Sequence, residues 1–432
     1  MNTKTVKGNS IEEQPTNYPI SIWICLANIG SFYAMCESPT LHDYWKEFFV
    51  KDYSSSFEFY FNLASSISMI SLIFFSFFIG LLCDLYSNSI VLIGQTIFVV
   101  LGQFLMYASF YWNFFWFFFV GRILIYLAVQ TISTSTKTYL NQHVAEKEKA
   151  FMFGINSSSI LISKCVVLIA QPAIVQKYGL ESALLLTFGL ACTSLVISFI
   201  LYFLEEKMNN QSLEQIPLEK FSTQEYYSKS LQVQSQESQQ SQWDQVKSFS
   251  INYWLFGFII ASSLLVTNVI DNLLPAYISS YWKIDTIDAT RIASLCTFYG
   301  FFNWLMGMGY DWLQKGHEWL LFSSFASLIG QLILTQYDPV IGTAIVGLGY
   351  NMRVVAMLPL LGKFVKKEST GKAFGLIRSF KDLQSTITFL IIGIVVNETH
   401  TYQTSFQGVF IFITVYTIIN LILYSNIKFQ NK

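Results

Sequence analysis

The residues of this chain that could do chemistry are charges set inside apolar runs. Glu37, Arg122, Lys137, Lys164, Asp271, Arg353, Arg378, Lys381 and Asp382 all fall in stretches long enough to cross a bilayer. An arginine at the centre of a membrane helix costs roughly 2.5–3.5 kcal/mol on insertion scales. Such a group marks a solute or ion path, unless it lies near a helix end and reaches back to the interface. Arg122 follows Val120-Gly121 well inside its run, and Arg353 lies deep in another. Glu37, Lys137 and Lys381 lie nearest to run ends and also fit helix-end charges. The chemistry offered is recognition: cations to hold anions, carboxylates to hold cations or protons, and the amide of Gln130 to meet an amine. It is not catalysis. His42, His143, His317 and His400 sit at helix ends or in loops, far apart in sequence. The six cysteines lie in or beside apolar runs without a CxxC pair, as small packing residues do. No catalytic residues, metal or cofactor are implied, and no glycine-rich nucleotide loop is present to drive a pump in cis.

Placing those charges requires helices. The chain has 432 residues, of which 53% are hydrophobic and 12% charged; soluble domains carry about 25% charged residues. This is the composition of an all-α, polytopic membrane protein. With about 20 residues per span, twelve transmembrane helices are expected at 19–38, 57–83, 90–110, 113–138, 150–173, 181–204, 251–278, 288–310, 317–335, 339–362, 371–396 and 403–426. The organisation is a tail, 1–18; a first six-helix bundle, 19–204; a Gln-, Ser- and Glu-rich linker expected to be disordered, 205–250; a second bundle, 251–426; and a tail, 427–432. The polar start carries Lys4 and Lys7 and lacks a compact leader with a cleavage site, so the first span is expected to be retained. A formal net charge of −1 gives no reason to expect nucleic acid; the surroundings implied are a lipid bilayer.

Lysines set the orientation. With both termini cytoplasmic, fifteen tail and loop lysines lie on the cytoplasmic side and four on the other, the bias that positive-inside topology requires. The linker is then cytoplasmic, and the sequon Asn397-Glu398-Thr399 is not.

The two halves repeat. Gly80-Leu-Leu-Cys-Asp84 ends the second span and Gly307-Met-Gly-Tyr-Asp311 ends the eighth, 227 residues later. Val120-Gly121 and Val346-Gly347 are offset by 226, and Phe153-Gly154 and Phe374-Gly375 by 221. Secondary transporters are often built from such repeats, with the solute site between them near the bilayer midplane. Spans three, six, nine and twelve carry no charge in their interiors, Glu181 and Glu318 lying at the very start of spans six and nine, and can face lipid. Spans one, four, seven and ten, with five and eleven behind them, should surround a polar cavity.

These features resemble the major facilitator superfamily, which implies two pseudo-symmetric six-helix bundles. The family's loop after the second helix reads roughly G-x-x-x-D-R/K; here Gly80 and Asp84 are followed by Leu85, and Asp311 by Trp312. The resemblance implies gating by Gly80, Asp84, Arg122, Gly307 and Asp311, with ion pairs weakened by the missing bases. Within the superfamily the chain is similar to the lysosomal dipeptide-transporter branch. Phe32-Tyr33-Ala-Met-Cys-Glu37-Ser38-Pro39, Gly121-Arg122, Thr138-Tyr139, Phe153-Gly154, Gly347-Leu348-Gly349-Tyr350 and Gly371-Lys-Ala373-Phe374-Gly375 carry that similarity.

Departures from the branch bear on the ligand. Gln130 stands where the branch has an acid that would meet a peptide amine, and Leu161 where it has an arginine that would meet a carboxylate. Arg353 and Arg378 add positive charge, which shifts the expected ligand toward an anion or a differently oriented peptide. The expectation is a transporter of a small polar organic solute, dipeptide or amino-acid-like, working by alternating access. An organic-anion or proton-coupled carrier, and a non-transporting sensor or trafficking partner, are the alternatives. Gln130, Arg353, Asp271 and Arg378 are expected at the solute, with Glu37 at the non-cytoplasmic mouth. A lysosomal or other endomembrane address and an accessory membrane glycoprotein are implied by the resemblance alone.

Overall fold

A computed structural model describes residues 18–53, 57–214, 249–365, 369–399 and 403–430. The tails, most of the linker, and the side chains of Asp271 and Asn397 lie outside the described residues.

Among the described residues, twelve spans are present. The first is Tyr18–Thr40, the second Phe57–Leu85, the third Asn88–Trp112 and the fourth Phe115–His143. The fifth and sixth are the arms, 149–178 and 180–214, of Lys149–Glu214, which turns at Gly179. Gly179 has φ 85°, a left-handed conformation that a side chain would strain. The arms run antiparallel, since Gln171 donates to Thr187 at 2.6 Å, across the turn. Span seven is Ile251–Trp282. Span eight is Thr286–Phe298, a 3₁₀ turn Tyr299–Phe302 and Asn303–Leu313 in succession. Spans nine to twelve are Gly316–Gln336, Pro339–Gly362, Thr370–Thr399 and Gln403–Gln430.

Local sequence explains where the spans begin. Asp338 caps the tenth, accepting from the amides of Val340 and Ile341 at 2.8 Å, with Pro339 in the first turn, where its missing N–H costs nothing. Ser250 caps the seventh through the amide of Tyr253. Along the middle of the spans, large apolar side chains such as Phe74, Phe78, Ile169 and Phe203 point outward. In water they would be a liability; in a bilayer they are the solvated face.

Two features differ from expectation. The sixth span continues to Glu214, ten residues past the boundary read from hydropathy. Its extension, Glu205-Glu-Lys-Met-Asn and onward, is polar but holds no Gly or Pro to stop a helix. Glu205 is tied down by the hydroxyls of Ser87 and Ser89 at the start of span three. The second feature is a short helix, His42–Tyr53, between spans one and two. Its charged residues hid it from a hydropathy scan, but Trp45 and Phe49 are fully buried. Trp45 lies 4.7 Å from Phe118, and Phe49 lies 5.3 Å edge-on from Phe115. The two rings pin this helix to the second and fourth spans.

Candidate functional site

The two halves meet at one end of the molecule through a pair of matched clasps. At the end of span two, Asp84 accepts from the backbone N–H of Gly371 at 2.7 Å and of Lys372 at 2.9 Å. At the end of span eight, Asp311 accepts from the N–H of Ala150 at 3.2 Å and of Phe151 at 2.7 Å. The donors belong to the first turns of spans eleven and five, where amides have no partner within the helix and the dipole is positive. Each clasp therefore joins one bundle to the other. The glycines make the approach possible: a Cβ on Gly80 would run into the carbonyl of Gly371, and one on Gly307 into that of Ala150. One turn away the pattern repeats, with Gly375 against the carbonyl of Ser76 and Gly154 against that of Asn303. Ser76 and Asn303, like Asp84 and Asp311, are 227 residues apart, so the repeat in sequence is also a repeat of contacts. The base missing after Asp84 is offset from the other bundle, since the ammonium of Lys372 lies 3.8 Å from its carboxylate.

Away from the clasps the bundles enclose a cavity of about 330 Å³. Spans four, five and eleven supply its charges: Lys137, Lys164, Arg378, Lys381 and Asp382. Asp382 is the hub, 3.2 Å from Nε of Arg378 and 2.7 Å from Nζ of Lys381. Arg378 also donates across the seam to Oε1 of Gln130 on span four. The lining also includes Asn303 and Asn351 of spans eight and ten, almost fully buried, whose buried Oδ1 atoms have no hydrogen-bond partner among the described residues. The cavity therefore presents a cluster of cations, with the amide residues Asn303 and Asn351 also in its lining. Among the described residues, no group of three or more His, Cys, Asp or Glu converges as metal ligands would.

A family model for the Major Facilitator Superfamily matches residues 44–335, well over half of the chain. The chain belongs to the major facilitator superfamily. Among curated relatives, the lysosomal dipeptide transporter MFSD1 of Gallus gallus is 21% identical over 315 residues, covering 70% of this chain and 67% of that protein. The one from Homo sapiens is 21% identical over 323 residues, covering 71% and 63%. The match thus spans about two thirds of the relatives' length. Among solved structures, the proton:xylose symporter XylE has a TM-score of 0.68 at 12% identity, covering 94% of this chain and 95% of that one. The human organic anion transporter MFSD10 has a TM-score of 0.64 at 11% identity, covering 95% and 99%. At these identities the structural likeness shows the fold.

In this major facilitator the residues singled out by sequence divide into two groups. Gln130 and Arg378 line the cavity and touch each other. Lys137 and Lys381, which also fitted helix-end charges, line it too. Arg353 does not. Its guanidinium is buried inside the C-terminal bundle, donating to Ser263, Ser327 and Tyr416 of spans seven, nine and twelve. Its expected place at the solute is thus corrected: Arg353 is not among the lining residues, its two Nη atoms are held by hydroxyls within the bundle, and its buried Nε has no partner among the described residues. Glu37 is likewise not at a mouth. It is fully buried, accepting from Gln103 at 2.5 Å and Thr187 at 2.7 Å, and it ties span one to spans three and six. Arg122 is not part of the clasps; it lies over the Phe61 ring at 3.2 Å and donates to Ser65, which joins span four to span two. Asp271 lies on the seventh span, with its side chain outside the described residues. Spans five and eleven, expected behind the cavity, are its charged front. Lys164, Asn303 and Asn351 were not singled out as solute contacts. Leu161 offered a clue, since Lys164 lies one helical turn beyond it on the same wall.

Proposed function

We propose that this major facilitator is a secondary transporter that carries a small polar organic solute, a dipeptide or amino-acid-like molecule, by alternating access. The observation that carries the reading is a charged cavity on the seam between two pseudo-symmetric bundles, with Arg378 of one bundle bonded to Gln130 of the other. A solute bound there would touch both bundles, so its binding energy could favour their movement relative to each other. Arg378, Lys381 and Gln130 are the residues assigned to the solute. The clasps at Asp84 and Asp311 are assigned to the cytoplasmic gate, on the same side as both termini and the linker. The names of the curated relatives support a dipeptide as the solute class and a lysosomal or other endomembrane site. The cations suit a peptide's carboxylate, and the amides of Asn303 and Asn351 in the same lining suit its polar remainder.

The test is a thermal-shift screen of the purified protein against dipeptides, amino acids and organic anions. A solute that binds only the folded protein stabilises it by about 2.7 kcal/mol at a hundred times its Kd. A dipeptide should raise the melting temperature in the parent and fail to do so in Arg378→Ala. No shift from any dipeptide or amino acid at millimolar concentration would exclude this solute class.

A further inference from the structure

We infer that the cavity selects by charge, favouring solutes with two carboxylates, such as dipeptides with an acidic side chain, over neutral and cationic ones. This rests on the reading of the cavity as the solute site. Among the described lining residues, four cationic side chains, Lys137, Lys164, Arg378 and Lys381, face one carboxylate, Asp382, a formal excess of three positive charges. Both oxygens of Asp382 are already engaged, one by Arg378 and one by Lys381. Lys137 and Lys164 make no ion pair among the described residues, although they line the same space. An excess of like charge in a membrane interior is costly unless an anion completes it.

The geometry explains why one carboxylate would be too few. A zwitterionic dipeptide brings one negative and one positive group, so it leaves the charge of the site unchanged. A dipeptide with an acidic side chain brings a net negative charge, with a second carboxylate for the lysines of spans four and five while the first meets Arg378 and Lys381. Its amine has polar side chains to meet, because Asn303 and Asn351 belong to the same lining. A cationic dipeptide would add positive charge to a site that has too much.

The experiment measures binding of three dipeptides matched in size, Gly-Glu, Gly-Gln and Gly-Lys, and of succinate, by thermal shift and by competition, to the parent and to Lys137→Gln/Lys164→Gln. The parent should bind Gly-Glu at least tenfold tighter than Gly-Gln, with Gly-Lys weakest. The double variant should bind Gly-Glu and Gly-Gln within about twofold of each other. Equal affinities in the parent, or preference for Gly-Lys, would overturn the charge selection and leave the dipeptide reading standing. Succinate binding without any dipeptide binding would uphold the charge selection and remove the dipeptide reading. Binding of none of the four would overturn both. The parent's ranking decides the matter even if the double variant fails to fold, and an unchanged ratio in a folded double variant would contradict the assignment to these lysines.

Discussion

Removing the carboxylate of Asp84 should open the gate without unfolding the protein. In the closed clasp Asp84 takes two N–H bonds from the first turn of span eleven, with its side chain 1% exposed. In an open form, water would solvate both the carboxylate and the amides, so the clasp counts in the difference between the two forms. A carboxylate at a helix N-terminus is worth up to about 2 kcal/mol when partly buried. At about 1.4 kcal/mol per factor of ten, its loss shifts the closed–open equilibrium about thirtyfold. Cys83 reports this directly. It is 3% exposed, donates to Ser135 at 3.3 Å and abuts Gly371 across the seam. With the other five cysteines replaced, labelling of Cys83 by a membrane-impermeant maleimide would proceed through rare openings, at a rate that follows their population. Asp84→Ala should raise that rate by about thirtyfold from the cytoplasmic face, with the melting temperature little changed. A rise of less than twofold, or one seen only from the opposite face, would refute the gate.

The other clasp should behave alike: Asp311→Ala should raise Cys83 labelling in the same assay, and the two changes together should act roughly multiplicatively, because distant sites add in free energy. Gly80→Val, whose side chain would meet the Gly371 carbonyl, should keep the seam from closing and give the highest labelling of the single variants. Arg353→Lys loses the planar fork that reaches three hydroxyls; it should lower the melting temperature while solute affinity stays within about twofold of the parent by thermal-shift titration. Trp45→Ala leaves a hole among Phe49 and Phe118 and should destabilise the N-terminal bundle by about 3–5 kcal/mol in denaturant titrations.

The architecture was legible because the bilayer imposes it. Spans must be long and apolar, and repeats keep their offset, so Gly80 with Asp84 and Gly307 with Asp311 stood out in the chain. Their partners were not legible, because they are backbone amides of spans five and eleven that no residue type announces. The short helix at His42–Tyr53 was missed for the opposite reason: its anchors, Trp45 and Phe49, are spaced among charges that lower its hydropathy. For the cavity, sequence gave residue types without direction. A charge inside a span must face protein or water, but hydropathy does not say which neighbour it meets. Arg353 met hydroxyls within its own bundle, whereas Arg378, only three residues from Lys381, met the seam. Lys164 stood in the sequence as an intramembrane charge without a partner to give it a role, although Leu161, one helical turn before it, lines the same cavity.

Solute bound at Gln130, Arg378 and Lys381 should cross the membrane. Solute counterflow in proteoliposomes measures this without knowledge of any coupling ion: vesicles loaded with the dipeptide that gives the largest thermal shift are diluted into a trace of the same dipeptide in radiolabelled form. Label should accumulate transiently in parent vesicles and not in vesicles bearing Arg378→Ala. Binding by thermal shift with no counterflow in the parent, as a sensor on this fold would give, would contradict it, as would undiminished counterflow in Arg378→Ala.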